Sequence, residues 1–279
     1  MSPRSLEQAV FEAPPPLLGP GEPPPLVQVN AGGATPLLLV CDHASRAFPA
    51  ALGRLGVPEA ALDLHIAWDI GAAEVTRRLA RLLDAPALLG GYSRLVIDLN
   101  RGLDEPSLIP EVSDGVAIPG NRALSAADRE ARIEALYRPW HRAVASELRR
   151  LAERHGRPAV LLGIHSFTPV MAGFDRPWHV GVLWDGDGAV AGPLMAALAA
   201  AGDLCVGDNQ PYSGRLPGGG TLESHALEPG LPGATVEIRQ DLIADAAGRA
   251  AWARRLARAL GPLFTCSSLS AQETPAPAV

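Results

Sequence analysis

Two apolar runs constrain this chain more than anything else in it. Leu37–Cys41 in "PLLLVCDH" and Val160–Ile164 in "PAVLLGIHS" are nearly unbroken hydrophobic stretches, each stopping in a histidine. A strand that alternates apolar and polar residues has one wet face; a strand that does not is covered on both. Further apolar or β-rich runs, "APALLGG", "SRLVIDLN", "WHVGVLWD", "LCVGD" and "ATVEIRQ", read as strands. Between them lie helical patterns: "DIGAAEVTRRLARLLDA" with Asp69 placed to cap it, the long "SAADREARIEALYRPWHRAVASELRRLAERHG", "GPLMAALAAAG" and "AGRAAWARRLARALG". Ser125 should open the long helix, Gly156 close it, and Pro139 kink it. Strands alternating with helices predict an α/β fold on a mostly parallel central sheet. Ligands of such sheets bind beyond the carboxyl ends of the strands.

The chain of 279 residues is long enough for one large domain, and its 47% apolar content fills a sizeable core. The expected organisation is a Pro-rich arm over residues 1–33, a single α/β domain over 34–265 and a flexible tail over 266–279. Proline at the density of "APPPLLGPGEPPP" disfavours helix and sheet, so the arm is expected outside the sheet. All 24 basic residues are arginine, which excludes Schiff-base and phosphate-loop lysine chemistry. A net charge of −6 without a basic stretch argues against a nucleic-acid partner. No apolar run approaches the roughly 20 residues that span a bilayer, so no membrane partner is expected. Three widely spaced cysteines, Cys41, Cys205 and Cys266, suit a reducing cytoplasm, and no signal peptide is evident. The oligomeric state stays open.

The chemistry concentrates at strand ends. "LLLVCDH" ends in Asp42 and His43, "AVLLGIHS" in His165 and Ser166, and "RLVIDLNR" carries Asp98 before Asn100 and Arg101. If these strands are parallel neighbours, two imidazoles, a carboxylate and an Asn-Arg pair meet at one edge. Two imidazoles and a carboxylate are the usual ligands of a hydrolytic zinc, although imidazole suits other divalent ions too. A histidine at a strand end is equally a hydrogen-bonded structural residue. His65 with Asp69 makes a second cluster, in which Asp69 is equally a plain helix cap. His141 and His155 belong to the long helix and are expected at its surface; His179 and His225 lack an evident partner. Glu237 and Arg239 share one face of "TVEIRQ", where an edge strand would leave them in water and a buried strand would need a reason for them.

The pieces "CDHASRAFP", "HIAWDIGA", "YSRLVIDLNR", "SDGVAIPGN", "GIHSFTPV", "RPWHVGVL", "GDNQPYSG" and "VEIRQDLI" resemble the N-formylglutamate amidohydrolases. They run from about Pro36 to Leu260. The resemblance implies a zinc exopeptidase-like three-layer sandwich, related to aspartoacylases and zinc carboxypeptidases, and metal-dependent hydrolysis of a small anionic N-acyl amino acid. It implies zinc on His43 and His165, and Glu237 as general base. It implies Asn100 and Arg101 as carboxylate anchors, helped by Arg94, with Arg239 and Ser166 as further substrate contacts. The carboxypeptidase relatives use His-x-x-Glu for their first two ligands; here Arg46 stands where that glutamate would be, and an arginine cannot hold a cation. Asp69 is the preferred replacement and Asp42 the runner-up, with Asp98 orienting a ligand or an arginine. Two other readings remain: a deacylase or carboxypeptidase for another N-acyl or peptide acid, and a carboxylate-binding protein without metal. "SDGVAIPGN" and "SGRLPGGGTLESH" are expected to be loops over the site.

Overall fold

The computed structural model describes residues 16–186, 188–215 and 218–265. In chain order its strands are β1 (Leu26–Val29), β2 (Leu37–Cys41), β3 (Ala87–Gly90), β4 (Val112–Ser113), β5 (Val116–Ala117), β6 (Val160–Phe167), β7 (Val170–Met171), β8 (Phe174–Asp175), β9 (Val180–Leu183), β10 (Val206–Asp208) and β11 (Gly233–Arg239). Seven of them form one sheet in the order β1-β3-β2-β6-β11-β9-β10. β3, β2, β6 and β11 run parallel, β9 and β10 run against them, and β1 lies antiparallel on the outer edge of β3. β4–β5 and β7–β8 are separate hairpins.

Helices cover both faces, which is why the central strands carry no polar face. Leu37, Leu39 and Cys41 pack with α1 (Ala72–Leu82), α4 (Ala191–Ala199) and α5 (Ala246–Thr265). Leu38 and Val40 pack on the other side with Trp140, Val144 and Leu151 of α3 (Arg138–His155). The α/β three-layer expectation holds, with strand polarity mixed. Among the described residues, no helix is long and apolar enough to cross a membrane.

The long helix follows its punctuation. Ser125 caps α2 (Ala126–Arg132), its Oγ accepting from Asp128 N at 3.1 Å, and Gly156 ends α3 in the left-handed region at φ 63°. Pro139 has no N–H to give. The helix widens into a π turn over Ile133–Tyr137 just before it, which accommodates the missing hydrogen bond.

Three expectations need correcting. Leu26–Val29 is a strand of the sheet and not part of an outlying arm. The prolines stop at Pro25, and an edge strand tolerates them in front of it. Residues 1–15 and the tail over 266–279 lie outside the described residues. "SRLVIDLN" is not a strand, because β1 already occupies the free edge of β3. The segment instead turns, with Val96 N bonded to Ser93 O and Asp98 N to Leu108 O. Buried Arg132 pins it from α2, donating to Val96 O at 2.9 Å and to Asn121 Oδ1 at 2.7 Å. Finally, Asp69 does not cap α1. The cap is Gly71 at φ 82°, and the Asp69 side chain turns away to the sheet edge.

Candidate metal centre

Parallel strands place the polar residues. His43 follows the end of β2, His165 lies in β6, and Glu237 sits opposite His165 in the β11–β6 register. The loop after β3 brings Asp98, Asn100 and Arg101 to the same edge, and the loop before α1 brings Asp69. His43, Asp69 and His165 each present a ligand atom within 4.8 Å of the others.

The two imidazoles are held alike. His43 Nδ1 lies 3.4 Å from Asp69 and its Nε2 lies 2.7 Å from Asp98 Oδ1. His165 Nδ1 lies 2.9 Å from Asp69 Oδ2 and its Nε2 lies 3.1 Å from Asp42 Oδ2. Each ring therefore turns Nδ1 to the shared carboxylate and Nε2 to a carboxylate of its own. This donor set fits a divalent ion: two inward nitrogens, one inward carboxylate, and an outer acceptor for each ring. Asp42, the runner-up ligand, and Asp98, the expected orienter, sit on the outer nitrogens. Thr221 Oγ1 donates to Asp42, and Arg94 donates to Asp98 Oδ2 at 2.7 Å.

Charge compensation is dense. Burial alone would raise the Asp69 carboxyl, but His43 and His165 outweigh it and hold it well below the usual range. The same contest, won by Arg94 and His43, depresses Asp98. Burial would lower His165, yet Asp42 and Asp69 raise it well above an ordinary imidazole; His43 is raised too. Glu237 differs. Only 7% exposed, with Oε2 lacking any hydrogen-bond partner among the described residues, it is pushed by burial up to about 7. That orphaned oxygen beside the cluster is a second sign that something polar belongs there.

If Asp42 and Asp98 set the outer nitrogens, Asp42→Asn and Asp98→Asn should each weaken zinc binding by about 10- to 100-fold. Competition with a chromophoric chelator measures this. Unchanged affinity in both variants would remove them from that role.

The centre opens into a cavity of about 740 Å³ lined also by Arg94, Asn100, Arg101, Ser166, His65 and Tyr212. Arg94 is committed to the Asp98 and Asp69 carboxylates. Asn100 Oδ1 accepts from Thr221 N at 2.9 Å, its Nδ2 has no hydrogen-bond partner among the described residues, and a Cβ at Gly220 would collide with that oxygen. The glycine stretch thus packs directly onto the Asn-Arg pair. Arg101 donates to Asn100 O at 3.1 Å and has no carboxylate partner among the described residues. Ser166 Oγ donates to Ile70 O at 3.0 Å. Arg239 does not line the cavity; its guanidinium pairs with Asp241 at 2.8 Å. Its strand-mate Glu237 faces the centre while Arg239, at the strand's end, reaches a neighbour two residues on. His65 meets Asp114 at 3.5 Å, at the tip of β4–β5, and not Asp69. His141 is half-buried rather than on the surface, with Nδ1 at 2.8 Å from His225 Nε2.

A model of the family described as N-formylglutamate amidohydrolase matches residues 35–244. The chain belongs to the N-formylglutamate amidohydrolase family. Proteins named N-formylglutamate deformylase from Pseudomonas aeruginosa and Pseudomonas putida are each 29% identical to it, over 208 and 209 residues. Each alignment covers 67% of this chain and 73% of the relative. A gene product of Agrobacterium tumefaciens has a crystal structure that superposes at a TM-score of 0.83 and 37% identity, over 88% of this chain and 99% of that one. The crystal structure of an N-formylglutamate amidohydrolase from Ralstonia eutropha shares the fold at a TM-score of 0.58 and 19% identity, covering 86% of this chain and 97% of the other.

Proposed function

We propose that this amide-bond hydrolase cleaves N-formylglutamate to glutamate and formate in the cytoplasm, using a zinc ion bound by His43, Asp69 and His165. The observation that carries the reading is Glu237. A buried carboxyl group near pKa 7 beside a His-Asp-His cluster, its Oε2 without a hydrogen-bond partner among the described residues, has the properties of a general base for water. A bound ion would supply Lewis acidity toward the water and the amide carbonyl.

The chain's own side chains do the rest. Asn100 Nδ2 and the Arg101 guanidinium bind a substrate carboxylate and fix the amide over Glu237. Glu237 takes a proton from water and returns it to the leaving nitrogen. Arg94, tied to Asp98 and Asp69, keeps the acids ionised and adds positive charge to the cavity wall. Ser166 lines the floor beside His165. The curated deformylases and the family's name support the formyl substrate.

Purified protein loaded with zinc should release formate from N-formylglutamate and lose that activity with a chelator. A panel of N-acetyl and N-succinyl amino acids tests the acyl group; hydrolysis of these but not of the formyl compound would overturn the substrate. Arg101→Lys keeps the charge but loses the planar fork, so kcat/KM should fall by about 10- to 100-fold, chiefly through KM. A KM equal to that of the unchanged enzyme would free Arg101 of the role.

A further inference from the structure

N-formylglutamate carries two carboxylates, and Asn100 with Arg101 accounts for one. The buried arginines indicate where the other goes. Arg94 is paired with carboxylates, and Arg132 gives its outer nitrogens to three oxygens, Val96 O, Asn121 Oδ1 and Gly120 O. Arg176 is less well served: of its outer nitrogens only Nη1 meets oxygen. It is 7% exposed, yet no carboxylate lies within ion-pair distance among the described residues. Its Nη1 reaches the Tyr212 hydroxyl at 3.2 Å and, at 3.4 Å, Thr168 O; its Nη2 has the thioether of Met171 at 2.8 Å.

A sulfur is a weak acceptor for a guanidinium taken out of water. The rings of Phe167 and Tyr212, 5.7 and 5.0 Å away, hold the guanidinium in a slot. Phe167 is two residues beyond His165 on β6, so the slot stands at the same sheet edge as the metal centre. Met171 and Tyr212, which touch Arg176, both line the cavity that contains Glu237. Met171 lies on the β7–β8 hairpin, and its unbranched side chain can turn aside at little cost.

We propose that Arg176, with the Tyr212 hydroxyl, is a second carboxylate pocket, opened when Met171 swings away, that binds the substrate carboxylate not held by Asn100 and Arg101. This rests on the diacid reading above and makes the enzyme selective for N-acyl amino acids with two acidic groups. Selectivity arises because a ligand lacking that group leaves the guanidinium without a carboxylate, its Nη2 facing only the sulfur.

The test compares N-formylglutamate with its two monoamides on the zinc-loaded enzyme. Arg176→Met should lower kcat/KM for the diacid by about 100-fold and leave one monoamide unchanged, while Arg101→Met spares the other monoamide. Tyr212→Phe, on an exposed loop residue, should give a smaller loss with the same pattern and no loss of fold. If Arg176→Met lowers all three substrates equally, Arg176 only supports the structure and the proposal falls. Calorimetry with glutarate and butyrate separates this from the choice of reaction, because neither ligand has an amide. Arg176→Met should weaken glutarate by about 100-fold and leave butyrate unaltered, even were formylglutamate no substrate. Equal glutarate binding in both proteins would overturn the pocket.

Discussion

Glu237→Gln should lower formate release by about 10²- to 10⁴-fold, the usual contribution of a positioned base, without loss of bound zinc. The same change should stabilise the chelator-treated protein above neutral pH. Burial raises the Glu237 carboxyl from 4.5 to about 7. The native state therefore binds the proton more tightly than the unfolded chain does. Stability from this group is complete below about pH 4.5 and is lost as the pH climbs through 7, leaving a cost of about 3 kcal/mol in alkaline solution. Glutamine has no such titration, so the melting curves of the two proteins should converge near pH 4.5 and separate by pH 8. A bound cation facing the carboxylate offsets the cost, and zinc should narrow the gap. The acid limb of kcat/KM should accordingly lie at or below pH 7. A glutamine variant that turns over normally, or that melts below the unchanged protein at pH 8, contradicts the base assignment. Destabilisation and activity would then have separate origins.

The parts of this centre differ in how far the amino-acid order reveals them. Leu37–Cys41 and Val160–Phe167 are legible because both faces of a central strand are covered, so no polar residue interrupts them before the histidines. Ser93–Asn100 looks the same locally, since a loop buried under α3 also needs Leu95, Val96, Ile97 and Leu99. Only the occupancy of the sheet edge by Leu26–Val29 separates the cases, and that is a pairing between distant segments. Asp69 misleads for a related reason. An acid three residues before a helix fits a cap, whereas its contact with His165 spans 96 positions. The Arg176–Tyr212 contact leaves no local trace either, being formed across the β9–β10 region by residues 36 apart. Glu237 was visible as a charge in an apolar strand; that it faces the centre and Arg239 does not follows from where β11 ends.

Asp69→Asn should cost more than loss of either outer acid: at least about 100-fold in zinc affinity, and turnover close to that of the chelated enzyme. Asp69 is the one carboxylate that both Nδ1 atoms face, and the side chain Arg94 also approaches at 3.6 Å. Without metal, the carboxylates that flank both imidazoles favour their protonated forms. A cation arriving at the inner nitrogens must displace those protons, while the outer N–H groups stay on Asp42 and Asp98. Zinc titration below the histidines' raised pKa values should therefore release protons, up to about two per ion, and log affinity should climb with pH until those values are passed. Calorimetry in buffers of different ionisation enthalpy counts them. In Asp69→Asn each ring keeps one acidic neighbour, so fewer protons are bound beforehand and fewer leave. The stability linkage has the opposite sign to that of Glu237. The depressed Asp69 carboxyl stabilises the chain above about pH 4 and loses its effect as acid protonates it, so the asparagine variant should melt lower at pH 6 and approach the unchanged protein in strong acid. Zinc bound without proton release, or with full affinity after the asparagine change, would place the ion somewhere other than between His43 and His165.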